Sequence, residues 1–390
     1  MRGASALSRR VYLDYAATAP FDPRLAGALK EAETGNANSL HAEGRAARAQ
    51  LDDARERIAR ALGAHEPSEI VFTSGGTESD NTAVHGLAKK VPGAERTHVV
   101  VSAVEHDAVL EPARSLKAEG FKVDVVTPDA SGVVSPSSLE ERLSRVEEDG
   151  DATCLVAVMW VNNEVGTVEP VEELARVAHA HGALFFADAV QALGKLELRL
   201  EESGVDAASF SAHKVGGLKG TGALYLRRGV RLVPYLRGGG QESGLRSGTS
   251  NVLGAHVFAE AVERAQGERE ALWRRAEGFR AQILSACEAG CFAHAIAPTI
   301  PESSPHVPHI LSLLAEGLEG ETMVLRADDA RVAVSSASAC STGSLEPSHV
   351  VTALGVPRQK AFGSLRVSFG YGTDEDDVRA FVDALPEVLR

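Results

Sequence analysis

Cysteine is scarce. The 390 residues hold four, Cys154, Cys287, Cys291 and Cys340, which do not make a disulfide framework and suit a reducing compartment. Cys287 and Cys291 stand four apart on a predicted helix. No His or Cys cluster completes a site around them, so they read as packing and no metal is expected. No apolar run reaches transmembrane length, so no membrane-spanning helix is expected. Basic charge is in deficit: 40 Lys and Arg against 54 Asp and Glu leave a net charge of −14. That balance argues against a nucleic-acid or anionic-membrane surface. Neither G-x-G-x-x-G nor G-K-[ST] follows the Gly-rich turns. The dinucleotide fingerprint and the Walker loop are thereby absent. Internal repeats and low-complexity linkers are missing too. Met1 to Arg10 is Arg- and Ser-rich without acids. It is short and no apolar core follows, which reads as a loose terminus on a cytoplasmic protein.

What is present is ordinary for a globular enzyme: 44% hydrophobic and 24% charged residues. Apolar runs alternate with helical periods along the chain. A short strand running into a small-residue loop is predicted over Val11–Pro20, and further strands at Glu69–Thr73, His98–Ser102, Phe121–Val126, Thr153–Val161, Ala183–Asp188, Asp206–Phe210 and Ala223–Leu226. Helices are predicted from Pro23 to about Glu31, over Ala42–Leu62 with Gly63 as its stop, and over Glu78–Lys90. This βα alternation predicts an α/β fold with a mostly parallel sheet and helices on both faces. A long helix over Val252–Glu288 marks the start of a second domain. Beyond it come strands at Ile310–Leu313, Val332–Ser335 and Leu365–Phe369, with a helix from Pro347 to Gly355.

Three stretches carry chemistry. Lys214 ends Ser211-Ala212-His213-Lys214, between a strand and the Gly-rich turn Val215–Gly222. That setting suits an imine-forming lysine with freedom to swing. Taken alone, a surface lysine before a turn is the commoner reading. Ser74-Gly75-Gly76-Thr77 turns from strand to helix, where free N–H groups and the helix dipole hold a small phosphate. Asp188 ends an apolar strand, where open parallel sheets bind ligands. A buried carboxylate needs a positive partner such as a protonated pyridine nitrogen, or it is a helix cap. A phosphate cradle, a carboxylate and a lysine, in this order along the chain, are the needs of pyridoxal phosphate (PLP).

The sequence resembles the group I cysteine desulfurases, in the class V aminotransferase family of fold-type I PLP enzymes. The carrying motifs are Tyr12–Thr18, Thr73–Asn81, Glu105-His106, Val161–Glu164 and Asp188–Gln191. Ser211–Lys214, Arg246–Thr249, Ser335–Cys340 with Leu345–Ser348, and Leu365–Ser368 complete them. The resemblance implies a large PLP-binding domain over 15–255, with a mostly parallel seven-stranded sheet. It implies a smaller α+β domain from 1–14 and 256–390, carrying a cysteine loop at about 335–346.

It also implies roles. Lys214 would hold the cofactor as an imine and move the Cα proton. Asp188 would pair with the ring nitrogen, Gln191 with the ring oxygen, and His106 would stack on the ring. Gly76, Thr77, Ser211 and His213 would hold the phosphate. Thr249 would reach the phosphate of the other subunit of a homodimer. Asn163 and Arg366 would grip the substrate carboxylate. Cys340 would take sulfur from L-cysteine as a persulfide, leave L-alanine, and pass the sulfur to an acceptor protein, as in iron–sulfur cluster assembly or thiolation. A selenocysteine lyase or a transaminase would keep the same fold, but a transaminase needs no loop thiol. A non-catalytic sulfur-relay protein has no use for Lys214, Asp188 and His106 together. Three positions depart from the pattern: Ala337 stands in place of the usual glycine, Ser243 in place of arginine, and Gly35–Ser39 in place of an Asn-Pro-Ser-Ser loop. The sequence ends soon after its last predicted helix, which argues against docking through a C-terminal tail.

Overall fold

The computed structural model describes residues 9–89, 97–336 and 346–390. Strand β1 (Val11–Tyr12) leads in. The central sheet follows from β2 (Ile70–Thr73), β3 (His98–Ser102), β4 (Lys122–Val126), β5 (Thr153–Ala157), β6 (Leu184–Asp188), β7 (Ala207–Ser211) and β8 (Gly222–Leu226). Its seven strands run in the order β2-β8-β7-β6-β5-β3-β4. The pairings from β4 through β7 are parallel, and β8 is antiparallel to both β2 and β7. All five residues of each of β3, β5, β7 and β8 are buried. Helices cover both faces of such a sheet, so the strands read as continuous apolar runs rather than alternating ones.

The remaining strands are β9 (Ile296–Pro298), β10 (Ile310–Ala315), β11 (Val332–Ala333) and β12 (Ser364–Ser368). They build a three-stranded antiparallel sheet, β12-β10-β9, and a short parallel pair of β1 with β11. A second hydrophobic cluster sits here, joining Val11 and Leu13 to Leu311, Leu313, Val367 and Phe381. The 38-residue helix Val252–Ala289 serves both cores. Its Val252, Phe258 and Val262 pack with the central sheet, and its Ala276, Phe279 and Ile283 pack with the second cluster.

The helix at Ala42–Leu62 has the bounds its periodicity predicts, with Leu51, Ala54, Ile58 and Leu62 buried on one face. Gly63 ends it in the left-handed region at φ 65°. Elsewhere local chemistry shortens the predicted elements. The segment from Pro23 is a 3-10 turn to Leu25 before the α-helix Ala26–Glu31, because the Asp22 carboxylate accepts from Arg24 N at 3.0 Å. β5 stops at Ala157 rather than reaching Val161. The Asn162 side chain accepts from the Glu164 and Val165 N–H groups at 2.8 and 2.9 Å, which folds the chain into a turn. The helix expected from Pro347 spans His349–Ala353, capped by Ser348.

Candidate active site

The carboxyl ends of β2, β3, β6 and β7 open on one cleft of about 320 Å³, within the size range of small-molecule sites. β7 ends at Ser211, and a single 3-10 turn, Ala212–Val215, projects Lys214 into the cleft. Gly216 at φ 81° ends that turn. Lys214 Nζ donates to the carbonyls of Ala16 at 2.6 Å and Ala17 at 2.9 Å. The small-residue loop after β1 therefore lies directly against the lysine.

Asp188 ends β6 and is buried. Its Oδ1 accepts from Val190 N at 2.9 Å and from Ser209 Oγ at 3.5 Å. Burial holds its carboxyl above the ordinary range, and the Val190 N–H, His106 and Lys214 pull back only partly. Asp80 lies buried beside it, also raised well above the ordinary range by burial and by Asp188 itself. Asp80 Oδ1 has no hydrogen-bond partner among the described residues. Two buried carboxylates facing one cleft favour a cationic guest.

At the other end of the cleft, Gly75 (φ 154°) and Gly76 open the helix Gly76–Ala88. A Cβ on Gly76 would lie 2.9 Å from Val190 Cγ2, so only glycine allows this close approach. The helix N-terminus, Thr77, Ser211 and His213 all line the cleft there. Burial, Lys214 and Lys219 push the His213 imidazole down to about 4. It is neutral at pH 7, and its Nδ1 is 3.0 Å from Thr18 Oγ1. Glu78 in the first turn is bound by Arg246 Nε at 2.7 Å and Ser74 N at 2.8 Å. Burial acts to raise its pKa, but these partners hold it below the ordinary value. Its charge is thus compensated next to the anion cradle.

His106 caps the helix Asp107–Leu116, its Nδ1 accepting from Ala108 N at 3.0 Å. That bond fixes the ring at the cleft edge. Gln191 Nε2 donates to the Ala16 carbonyl at 2.9 Å, and its Oε1 accepts from Lys195 Nζ at 3.1 Å. Arg366 comes from β12, in the second cluster. It is 4% exposed. It donates to Asp14 Oδ1 and to the Asn163 carbonyl, each at 2.9 Å, while its buried Nε has no partner among the described residues. The strand therefore does not alternate between core and solvent: Leu365 and Val367 enter the core, and Arg366 enters the cleft.

The cleft gathers Gly76, Thr77, His106, Asn163, Asp188, Gln191, Ser211, His213, Lys214 and Arg366 from the sequence-derived set. Thr249 is exposed and does not line it. Cys340 lies outside the described residues. Asp80, Asp14 and Met159 were not assigned roles from sequence. Asp80 falls one helical turn after Gly76, a spacing that could have flagged it. No cluster of three or more metal-ligating side chains and no membrane-crossing helix occurs among the described residues. The donor set fits PLP: a phosphate cradle, a lysine amine, a carboxylate in need of a cation, and a buried arginine with an N–H unpaired among the described residues.

The comparisons with known proteins agree. The family model for aminotransferase class-V matches residues 11–381. A relative described as cysteine desulfurase IscS, from Dictyoglomus turgidum, is 39% identical across 98% of this chain and 95% of its own. A solved NifS-like protein superimposes with a TM-score of 0.88 at 36% identity, covering 98% of this chain and 99% of that one. A structure titled SspA in complex with cysteine gives a TM-score of 0.78 at 34% identity, covering 92% of this chain and 98% of that one. The chain belongs to the aminotransferase class-V family of PLP-dependent enzymes, among its cysteine desulfurases.

Proposed function

We propose that the protein removes sulfur from L-cysteine onto Cys340, releases L-alanine, and delivers the sulfur to an acceptor protein, as in iron–sulfur cluster assembly or thiolation. The observation that carries this reading is the cleft that holds Lys214, Asp188 and Arg366 together. Bound there, PLP supplies an electron sink that weakens the bonds at the substrate Cα and Cβ.

The residues of the chain do the rest. Arg366, held by Asp14 and by the Asn163 carbonyl, presents its guanidinium to the substrate carboxylate and fixes its orientation. Asp188 supplies the negative partner for a ring-nitrogen cation. His213, neutral at pH 7, donates or accepts a hydrogen bond at the phosphate end without adding charge. Lys214 Nζ holds and moves the proton at substrate Cα. The Cys340 thiolate attacks the substrate sulfur: an S–S bond forms, the C–S bond breaks, and its electron pair stays with the carbon fragment, which gains a proton and leaves as alanine. Thr249, exposed at the end of the loop before the long helix, supports a homodimer in which it meets the partner's phosphate. We also propose the division into a large domain over 15–255 and a small domain from 1–14 and 256–390, which the two hydrophobic clusters support.

The test is spectroscopic and chemical. The purified protein with PLP is expected to show a visible cofactor band, and added L-cysteine to give alanine and reductant-released sulfide in equal amounts. Lys214→Ala is expected to lose the band. Cys340→Ala is expected to keep it and to lose at least 100-fold in sulfide release, roughly the scale for removing a nucleophile. A Cys340→Ala protein that releases sulfide at the wild-type rate would sink the persulfide route.

A further inference from the structure

Behind the cofactor cleft lies a second, smaller cavity of about 60 Å³. Ala16 and Lys214 line both spaces, so they form the wall between them. Gln191 faces the cleft, and Lys195, four residues on, faces the rear cavity. Their hydrogen bond at 3.1 Å crosses the wall. On the far side of the cavity His309 is 3% exposed, with neither ring nitrogen hydrogen-bonded among the described residues. Trp273 packs edge-on against it at 5.9 Å.

A carboxamide has two unlike ends. In its ammonium form Lys195 has only donors, so that form meets only the oxygen end of Gln191. The Ala16 carbonyl can meet only the nitrogen end. A flip of the amide would set N–H against N–H and oxygen against oxygen. With one N–H of Nε2 given to Ala16, the second remains to be offered to a ring oxygen on the cleft side. We propose that Lys195 is a positioning residue: through Gln191 Oε1 it locks the amide so that Nε2 presents its N–H to the cofactor ring. This rests on the PLP reading above. Burial and the facing Lys214 push the Lys195 ammonium down to about 7. That cost is consistent with a lysine kept for a specific contact rather than for solubility.

The experiment is a double-mutant cycle on PLP affinity and on the band maximum of the loaded protein, without L-cysteine. K195M is expected to raise the PLP dissociation constant about tenfold, or ~1.4 kcal/mol, and to displace the band. K195R keeps a side chain that only donates and is expected to retain more affinity than K195M. In a Q191A background, adding K195M is expected to change neither readout by more than about twofold, because the residue it acts through is gone. K195A is read in the same cycle should K195M fail to fold. Wild-type affinity and band in K195M, or an equal loss with and without Gln191, overturns the proposal. A wild-type protein that binds no PLP overturns the cofactor reading as well.

Discussion

At the scale of single residues, the site is defined by buried charge. Glu169 shows the cost of such charge away from the chemistry. It is 2% exposed, its Oε2 accepts from Val134 N at 2.8 Å, and its Oε1 has no partner among the described residues. Burial pushes its carboxyl up to about 8. The folded protein then holds a proton that the unfolded chain releases near its ordinary value of 4.5. Stability from this group is intact below that value and is lost as pH rises toward 8. Glu169→Gln keeps the acceptor for Val134 and removes the ionisation. It is expected to leave the urea midpoint unchanged near pH 4.5 and to stabilise at pH 8 by on the order of 1–3 kcal/mol. Equal effects at both pH values would mean that the carboxylate is not the source. Lys214, Asp188 and Gly76 were legible in the sequence because each marks a strand end or a tight turn. Asp14 was not, because its meaning comes from a partner distant in the chain, Arg366; the burial of Asp80 against Asp188 and of Lys195 in the rear cavity likewise comes only from the fold.

At the scale of elements, patterns set by repetition were legible and those set by a single contact were not. The helix Ala42–Leu62 follows from apolar spacing and a terminal glycine. The turn at Glu242–Ser243 does not. Both residues sit at positive φ, 49° and 56°, without being glycine. The Glu242 carboxylate holds them there. It binds Arg55 through two hydrogen bonds of 2.7 and 2.9 Å and accepts from Phe72 N at 3.0 Å, while the guanidinium lies 4.8 Å over the Phe72 ring. Tertiary contact thus overrides backbone preference in the loop that leads to Thr249. Ser243→Gly is expected to stabilise the protein by ~1 kcal/mol, since glycine enters this region without a Cβ clash. Glu242→Ala is expected to cost about 3–5 kcal/mol, because it strands the Arg55 charge in a largely buried site. Denaturant midpoints read both. A Ser243→Gly protein less stable than wild type would show that the turn is not strained.

At the scale of the whole molecule, two sets of buried groups oppose each other across pH. Asp80, Glu105, Glu164, Glu169 and Asp188 are all raised, chiefly by burial. Burial favours the protonated form of each in the fold, so each weakens the fold as pH climbs above the unfolded values. The net charge of −14 adds repulsion in the same direction. His213 and His309 are pushed down by burial, to about 4 and about 3. They stay neutral in the fold while the unfolded chain takes up protons, so stability falls as pH drops below ~6.5. Asp22 and Glu78 lie below their ordinary values of 3.8 and 4.5, held there by Arg24 and Arg246 against the pull of burial, and their stabilisation is lost only as pH falls below those values. Lys195 alone among these runs the other way above pH 7, where its neutral amine favours the fold. Five carboxylates outweigh one lysine, so the melting temperature of the cofactor-free protein is expected to peak at about pH 5–6.5 and to decline toward pH 8. A scan of melting temperature against pH checks this. A temperature that climbs steadily from pH 6 to pH 8 would mean that the carboxylates around Asp188 find cationic partners within the protein itself, and that the cleft does not depend on a guest to supply one.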